Sequence, residues 1–149
     1  MTEYGKYFLT KSKGGYSNCL DRGHGNCLPN CVGWAWGNFY FFHGQRKDIQ
    51  TRPLGNANMI YELCKREHSG FIVSKALKEN SIICFGCGQY GHVMYCHFKM
   101  PNGMYLCSES NYDGNASRNT FNRFFVTANP QNLYKNYQGC VYDFYDDRK

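Results

Sequence analysis

The sequence has no run of about twenty apolar residues, which is the length that a membrane-spanning helix requires. Its first residues, MTEYGK, are polar and contain no apolar signal-peptide core. It also has no internal repeat and no low-complexity tract. We therefore expect a protein without a membrane span that is made in a cytoplasm. Its 149 residues suit one compact domain over positions 1–149.

Acidic residues are scarce: 11 Asp and Glu stand against 17 Lys and Arg, which gives a formal net charge of +6. This charge suits ordinary solubility or a polyanionic partner, either nucleic acid or an anionic cell wall. Nine cysteines without an export signal favour reduced thiols over a disulfide framework, and the odd count leaves at least one thiol free. Aromatic residues make up 17% of the chain, which is enough apolar bulk for a core and excludes global disorder.

Two helices are predicted in the first half of the chain. Residues 1–29 are rich in Gly, Lys and Asn and are interpreted as an irregular N-terminal arm. Asn30 is a side-chain acceptor of the kind that precedes helices. Apolar residues then recur at three- and four-residue spacing, which predicts a helix over 31–42. A similar pattern predicts a second helix over 56–66.

The second half of the chain changes from helical to alternating periodicity, which is typical of strands. The predicted strands cover 81–85, 92–100, 104–111, 118–126 and 138–145. The sequence PNG at 101–103 is a strong hairpin turn between the second and third of them. Helices followed by an antiparallel meander predict an α+β fold, in which N-terminal helices pack on an antiparallel β-sheet.

Cys31 is a candidate nucleophile because it opens the first predicted helix. The free N–H groups and the positive dipole end of a helix start favour a thiolate, which is the form that attacks an amide carbonyl. The same N–H groups can hold an oxyanion, and Asn30 is a candidate side-chain donor to it. Cys19 and Cys27 are rival thiols, each preceded by Asn, but neither opens an apolar periodic run.

His92 is the candidate general base, since it starts a predicted strand directly after Gly91. The predicted hairpin places the next strand beside it, with Glu109 and Asn111 sharing one face. Either side chain can accept a hydrogen bond from the far imidazole nitrogen and fix its tautomer. Glu109 is preferred because a carboxylate also stabilises the imidazolium, and Asn111 is kept as the alternative that lines the site.

The order and surroundings of these residues resemble the CHAP family, the cysteine, histidine-dependent amidohydrolases and peptidases that cut bacterial peptidoglycan. The matching segments are 30–39, 55–57, 91–95 and 108–112, which read NCVGWAWGNF, GNA, GHVMY and SESNY. Each motif is short, so the specificity lies in their succession. The resemblance implies a papain-like fold of the NlpC type in a single catalytic domain, and no metal or cofactor.

The resemblance also implies a function and a place of action. Cys31, His92 and Glu109 would act as the catalytic set of an amidase that cuts the muramoyl–alanine bond or of an endopeptidase that cuts the peptides. Many relatives are phage endolysins or virion-borne lysins. The expected partners are therefore peptidoglycan and other virion or lysin subunits, and the protein would reach the wall after lysis or as part of a virion. Nucleic acid is not an expected partner in this interpretation.

A rival interpretation uses some of the same residues. The segment 84–92 reads CFGCGQYGH, which is the opening of a zinc knuckle. Cys84, Cys87 and His92 would bind zinc together with His97 or Cys96. Zinc knuckles bind single-stranded nucleic acid, and a basic chain rich in aromatic residues suits that partner. A third possibility is an inactive domain of the CHAP fold that serves binding or assembly.

Overall fold

The computed structural model describes residues 31–43, 56–66, 71–110 and 123–143. These residues form an α+β fold with two helices and one six-stranded sheet. Helix α1 spans Cys31–His43 and helix α2 spans Ala57–Arg66, close to the ranges that the helical periodicity predicts. The predicted N-terminal arm, 1–29, lies outside the described residues.

The six strands are β1 Phe71–Ser74, β2 Ser81–Phe85, β3 His92–Lys99, β4 Tyr105–Glu109, β5 Arg123–Thr127 and β6 Tyr137–Asp143. The sheet is antiparallel throughout and has the strand order β1-β6-β2-β3-β4-β5. Strands β2 to β5 form the predicted meander, and β6 returns to pair with both β2 and β1. Strand β1 is an addition to the prediction, and positions 118–122 of the predicted fourth strand lie outside the described residues.

Two apolar clusters occupy the two faces of the sheet. The first joins both helices to the sheet through residues such as Trp36, Ile60 and Val93. The second lies among alternate residues of the same strands, such as Met94 and Phe85. All five residues of β2 are buried because it lies between both clusters. This confirms the expectation that N-terminal helices pack on an antiparallel sheet.

The β2–β3 turn is held against the start of α2. Asn58 donates its backbone N–H to the carbonyl of Tyr90 at 2.8 Å. Gly91 follows with φ of +77°, and a Cβ atom there would lie 2.5 Å from the backbone nitrogen of Asn58. Glycine is therefore required at 91, and the close approach sets where β3 begins.

Neither of the two described helices is long and apolar enough to cross a membrane.

Candidate active site

The first residue of α1 and the first residue of β3 meet at one end of the sheet. Cys31 is half-buried at the start of the helix, and it forms a hydrogen bond with His92. His92 is 7% exposed and begins β3, which has three strands of the sheet on one side and two on the other. The helix start and the central strand, which the sequence predicts separately, therefore bring a thiol and an imidazole into contact.

Glu109 contacts the far side of the same imidazole ring. Its Oε1 lies 2.8 Å from Nε2 of His92, because β3 and β4 are neighbouring strands. Since Nε2 is occupied by this carboxylate, Nδ1 is the ring nitrogen available to the thiol of Cys31. Thiol, imidazole and carboxylate thus form one hydrogen-bonded series, which is the order that nucleophilic catalysis needs.

Two further side chains hold Glu109, which is fully buried. Arg123 binds Oε2 through Nε at 2.7 Å and Nη2 at 2.6 Å, and Tyr134 donates its hydroxyl to Oε1 at 2.7 Å. Arg123 faces Glu109 because the two are register partners of β5 and β4. Sequence reasoning missed both residues. The strand register could have indicated Arg123, whereas no sequence signal points to Tyr134.

These contacts keep His92 and Glu109 charged. Burial alone would lower the pKa of His92, but hydrogen bonds with Cys31 and Glu109 outweigh it and raise that pKa to about 9. Burial alone would raise the pKa of Glu109, but hydrogen bonds with His92 and Tyr134 hold it below its ordinary range. At neutral pH the site therefore holds an imidazolium between the sulfur of Cys31 and a carboxylate.

The predicted zinc ligands lie in different parts of the fold and have different partners. Cys84 belongs to the apolar cluster beneath the helices, whereas Cys96 belongs to the cluster on the other face. His92 is bonded to Glu109, and Nε2 of His97 lies 2.7 Å from Oγ of Ser108. Within the described ranges, no group of three or more His, Cys, Asp or Glu side chains is arranged to hold a metal ion.

The remaining predicted site residues are not among those described. Asn30, the candidate oxyanion donor, and Asn111, the alternative to Glu109, both fall outside the described ranges, as do the rival thiols of Cys19 and Cys27. The catalytic roles of Cys31, His92 and Glu109 stay a prediction. What the structure adds is their mutual contact.

No protein-family model matches this chain, and no curated protein matches it significantly.

We predict that the free energy of unfolding is greatest near pH 6.5. The pKa of His92 rises from 6.5 to about 9 on folding, so its stabilising contribution is complete below pH 6.5 and is lost as pH rises through about 9. Burial lowers the pKa of His97 from 6.5 to about 4, so stability also falls as pH drops from 6.5 towards 4. Each loss is on the order of 3 kcal/mol.

Urea unfolding of the wild type and His92→Ala at a series of pH values measures both losses. The difference between the two proteins should shrink as pH rises from 6.5 to about 8, before the cysteines of the unfolded chain ionise. Two parallel curves over that interval would contradict the raised pKa of His92.

Tyr134→Phe should lower the free energy of unfolding by about 1–3 kcal/mol, because it removes a donor to a buried carboxylate. It should also raise the pKa of Glu109, which carbon NMR of the labelled carboxyl group measures. The control is Tyr137→Phe, which removes a hydroxyl that donates to the backbone carbonyl of Lys75 at 2.8 Å. That variant should leave the pKa of Glu109 in place, and an equal effect of both variants refutes the assignment.

Proposed function

We propose that this protein is a papain-like cysteine hydrolase of the CHAP type that cleaves an amide bond of bacterial peptidoglycan. The observation that carries the proposal is the series Cys31, His92 and Glu109, in which a thiol at a helix start contacts an imidazole that a buried carboxylate holds from the other side. The order of these residues along the chain is also the order in the CHAP motifs.

The geometry supports a separate catalytic role for each group of the site. The sulfur of Cys31, as thiolate, attacks the amide carbonyl and forms a tetrahedral intermediate. Backbone N–H groups in the first turn of α1 stabilise the oxyanion. His92, protonated at neutral pH, gives its proton to the leaving amine, so that an acyl-enzyme remains. His92 then accepts a proton from a water molecule as that water attacks the acyl group. Collapse of this second tetrahedral intermediate releases the carboxylic acid and restores the Cys31 thiolate beside the protonated His92.

Glu109 acts through His92 and does not contact the substrate in this mechanism. Its bond to Nε2 aims the ring at Cys31 and stabilises the imidazolium that the first step requires. Arg123 and Tyr134 occupy the other lone pairs of the carboxylate, so the group cannot rotate away from the ring. A carboxylate restrained on three sides gives the imidazole one orientation, which lowers the cost of reaching the reactive geometry.

The substrate is proposed from the family resemblance and is consistent with the charge of the chain. A net charge of +6 attracts an anionic cell wall, which concentrates the protein on it. A phage or virion origin, with action after lysis or from a particle, belongs to the same proposal. Both muramoyl–alanine amidase and peptide endopeptidase activity fit the site.

Mass analysis of fragments released from purified peptidoglycan tests the proposal and identifies the bond. An amidase releases stem peptides with a free amino-terminal alanine, whereas an endopeptidase leaves the stems attached to the glycan and cuts within them. The matched control is Cys31→Ala, which should release no fragments. Absence of fragments from a well-folded wild type would refute the proposal. Stoichiometric zinc, with unfolding on chelation, would favour the nucleic-acid-binding alternative instead.

A further inference from the structure

Three side chains outside the Cys31–His92–Glu109 series join α1 to the strands of the site. Trp34, one turn after Cys31, donates its indole Nε1–H to Oγ of Ser108 at 2.9 Å. That oxygen also lies 2.7 Å from Nε2 of His97 in β3. Ser108 is fully buried and directly precedes Glu109 in β4. We call this chain of hydrogen bonds the Trp34–Ser108–His97 relay.

The chemistry of Trp34 fixes the direction of the first hydrogen bond. An indole nitrogen only donates, so the oxygen of Ser108 accepts from Trp34. The direction of the second hydrogen bond depends on the tautomer of His97, and we assign the tautomer with its proton on Nδ1, to whose Nε2 the hydroxyl of Ser108 donates. Burial lowers the pKa of His97 to about 4, so this arrangement holds throughout the neutral range.

We propose that Ser108 is a positioning residue, which fixes the first turn of α1 against β4 and so sets the contact between the sulfur of Cys31 and His92. Its consequence for catalysis rests on the proposed function. The apolar contacts between α1 and the sheet are non-directional and would tolerate sliding of the helix. The hydrogen bond from Trp34 to the oxygen of Ser108 is directional, so it does not tolerate such sliding. Because a helix moves as a rigid rod, a shift at Trp34 is transmitted to Cys31.

The test compares two buried serines. Ser108→Ala removes the centre of the relay. Ser81→Ala removes an equally buried hydroxyl, which donates to the carbonyl of Lys78 at 2.6 Å. Ser81 lies at the far end of β2 from Phe85, the register partner of His92, and so it is the matched control. Both variants should lose stability, because each leaves buried polar groups without a partner.

Two rates separate positioning from stability. With iodoacetamide at neutral pH, Ser108→Ala should slow alkylation of Cys31 about tenfold, since the imidazolium no longer lies beside the sulfur. On peptidoglycan it should lower kcat about 10- to 100-fold with little change in KM, as expected when a reacting group is displaced by about 1 Å. Ser81→Ala should leave both rates within about twofold of the wild type.

Equal alkylation rates in Ser108→Ala and the wild type would overturn the inference. Fast alkylation of Cys31 in a wild type that releases no wall fragments would instead overturn only the proposed function. Trp34→Phe removes the same hydrogen bond from the other partner, and it replaces Ser108→Ala if that variant does not fold. Nitrogen NMR of the wild type provides a second test: a proton on Nε2 of His97 at neutral pH would contradict the relay.

Discussion

Cys31→Ala should abolish peptidoglycan cleavage, with a loss of about 10⁴-fold or more, while the protein stays folded. The half-buried side chain of Cys31 only packs against the edge of the first apolar cluster, so a methyl group there creates little cavity. The loss is chemical, because the other residues in the first turn of α1, Val32, Gly33 and Trp34, carry no nucleophile that could form the acyl-enzyme. Release of labelled wall fragments, with circular dichroism to verify the fold, measures it.

Cys87→Ala is the matched control, since Cys87 is also half-buried and lies in the turn that leads to His92. This variant should retain cleavage. In the wild type, peptide mapping after brief iodoacetamide treatment should find the label first on Cys31. Undiminished cleavage by a well-folded Cys31→Ala protein would remove the nucleophile assignment, and Cys27 would be tested next.

His92→Ala should lower the rate of cleavage about 10²- to 10⁴-fold, the range that general acid–base catalysis contributes. Two physical effects act together. The leaving amine loses its proton donor, and the thiolate of Cys31 loses the imidazolium beside it. The second effect should also slow alkylation of Cys31 near neutral pH, which separates His92 from residues that serve only the leaving group.

A second histidine provides a control of equal burial. His43 and His92 are each 7% exposed, and His43 lies at the opposite end of α1, with Nε2 3.0 Å from the carbonyl oxygen of Asn80. His43→Ala should therefore cost stability without changing alkylation of Cys31. If His92→Ala leaves both alkylation and cleavage untouched, the proposed pair of Cys31 and His92 is wrong.

The periodicity of the sequence predicted the helices and strands of this fold better than it predicted which strands pair with each other. The apolar spacing of 31–42 and the alternation of 92–100 indicated α1 and β3 nearly residue for residue. Strand β1 was not predicted because it has four residues, of which only Phe71 is buried, so it shows no alternating pattern. The position of β6 between β1 and β2 was not predicted either. The alternating pattern of a strand does not indicate which distant strand it pairs with.

The candidate site shows the same difference: residues in local sequence motifs could be predicted, whereas contacts between distant segments could not. Cys31, His92 and Glu109 could be named because each stands at the end of a periodic segment, in a motif that resembles those of the CHAP family. Arg123 could have been named only from the register of β5 against β4, and Tyr134 could not be named at all, since its bond to Glu109 comes from the segment before β6. The link from Trp34 to Ser108 depends likewise on how a helix lies over a sheet.

The position of β6 bears on the order in which the protein assembles during synthesis. Among the strands that the structure describes, β1 pairs only with β6, and β2 lies between β6 and β3. A ribosome therefore releases both helices and the β2–β5 meander before β1 can acquire its neighbour. Such pairing between distant segments forms late and slowly. Until residues 137–143 emerge, the nascent chain leaves one edge of β2 without the strand that pairs with it in the finished sheet, and an unpaired edge is a template for aggregation.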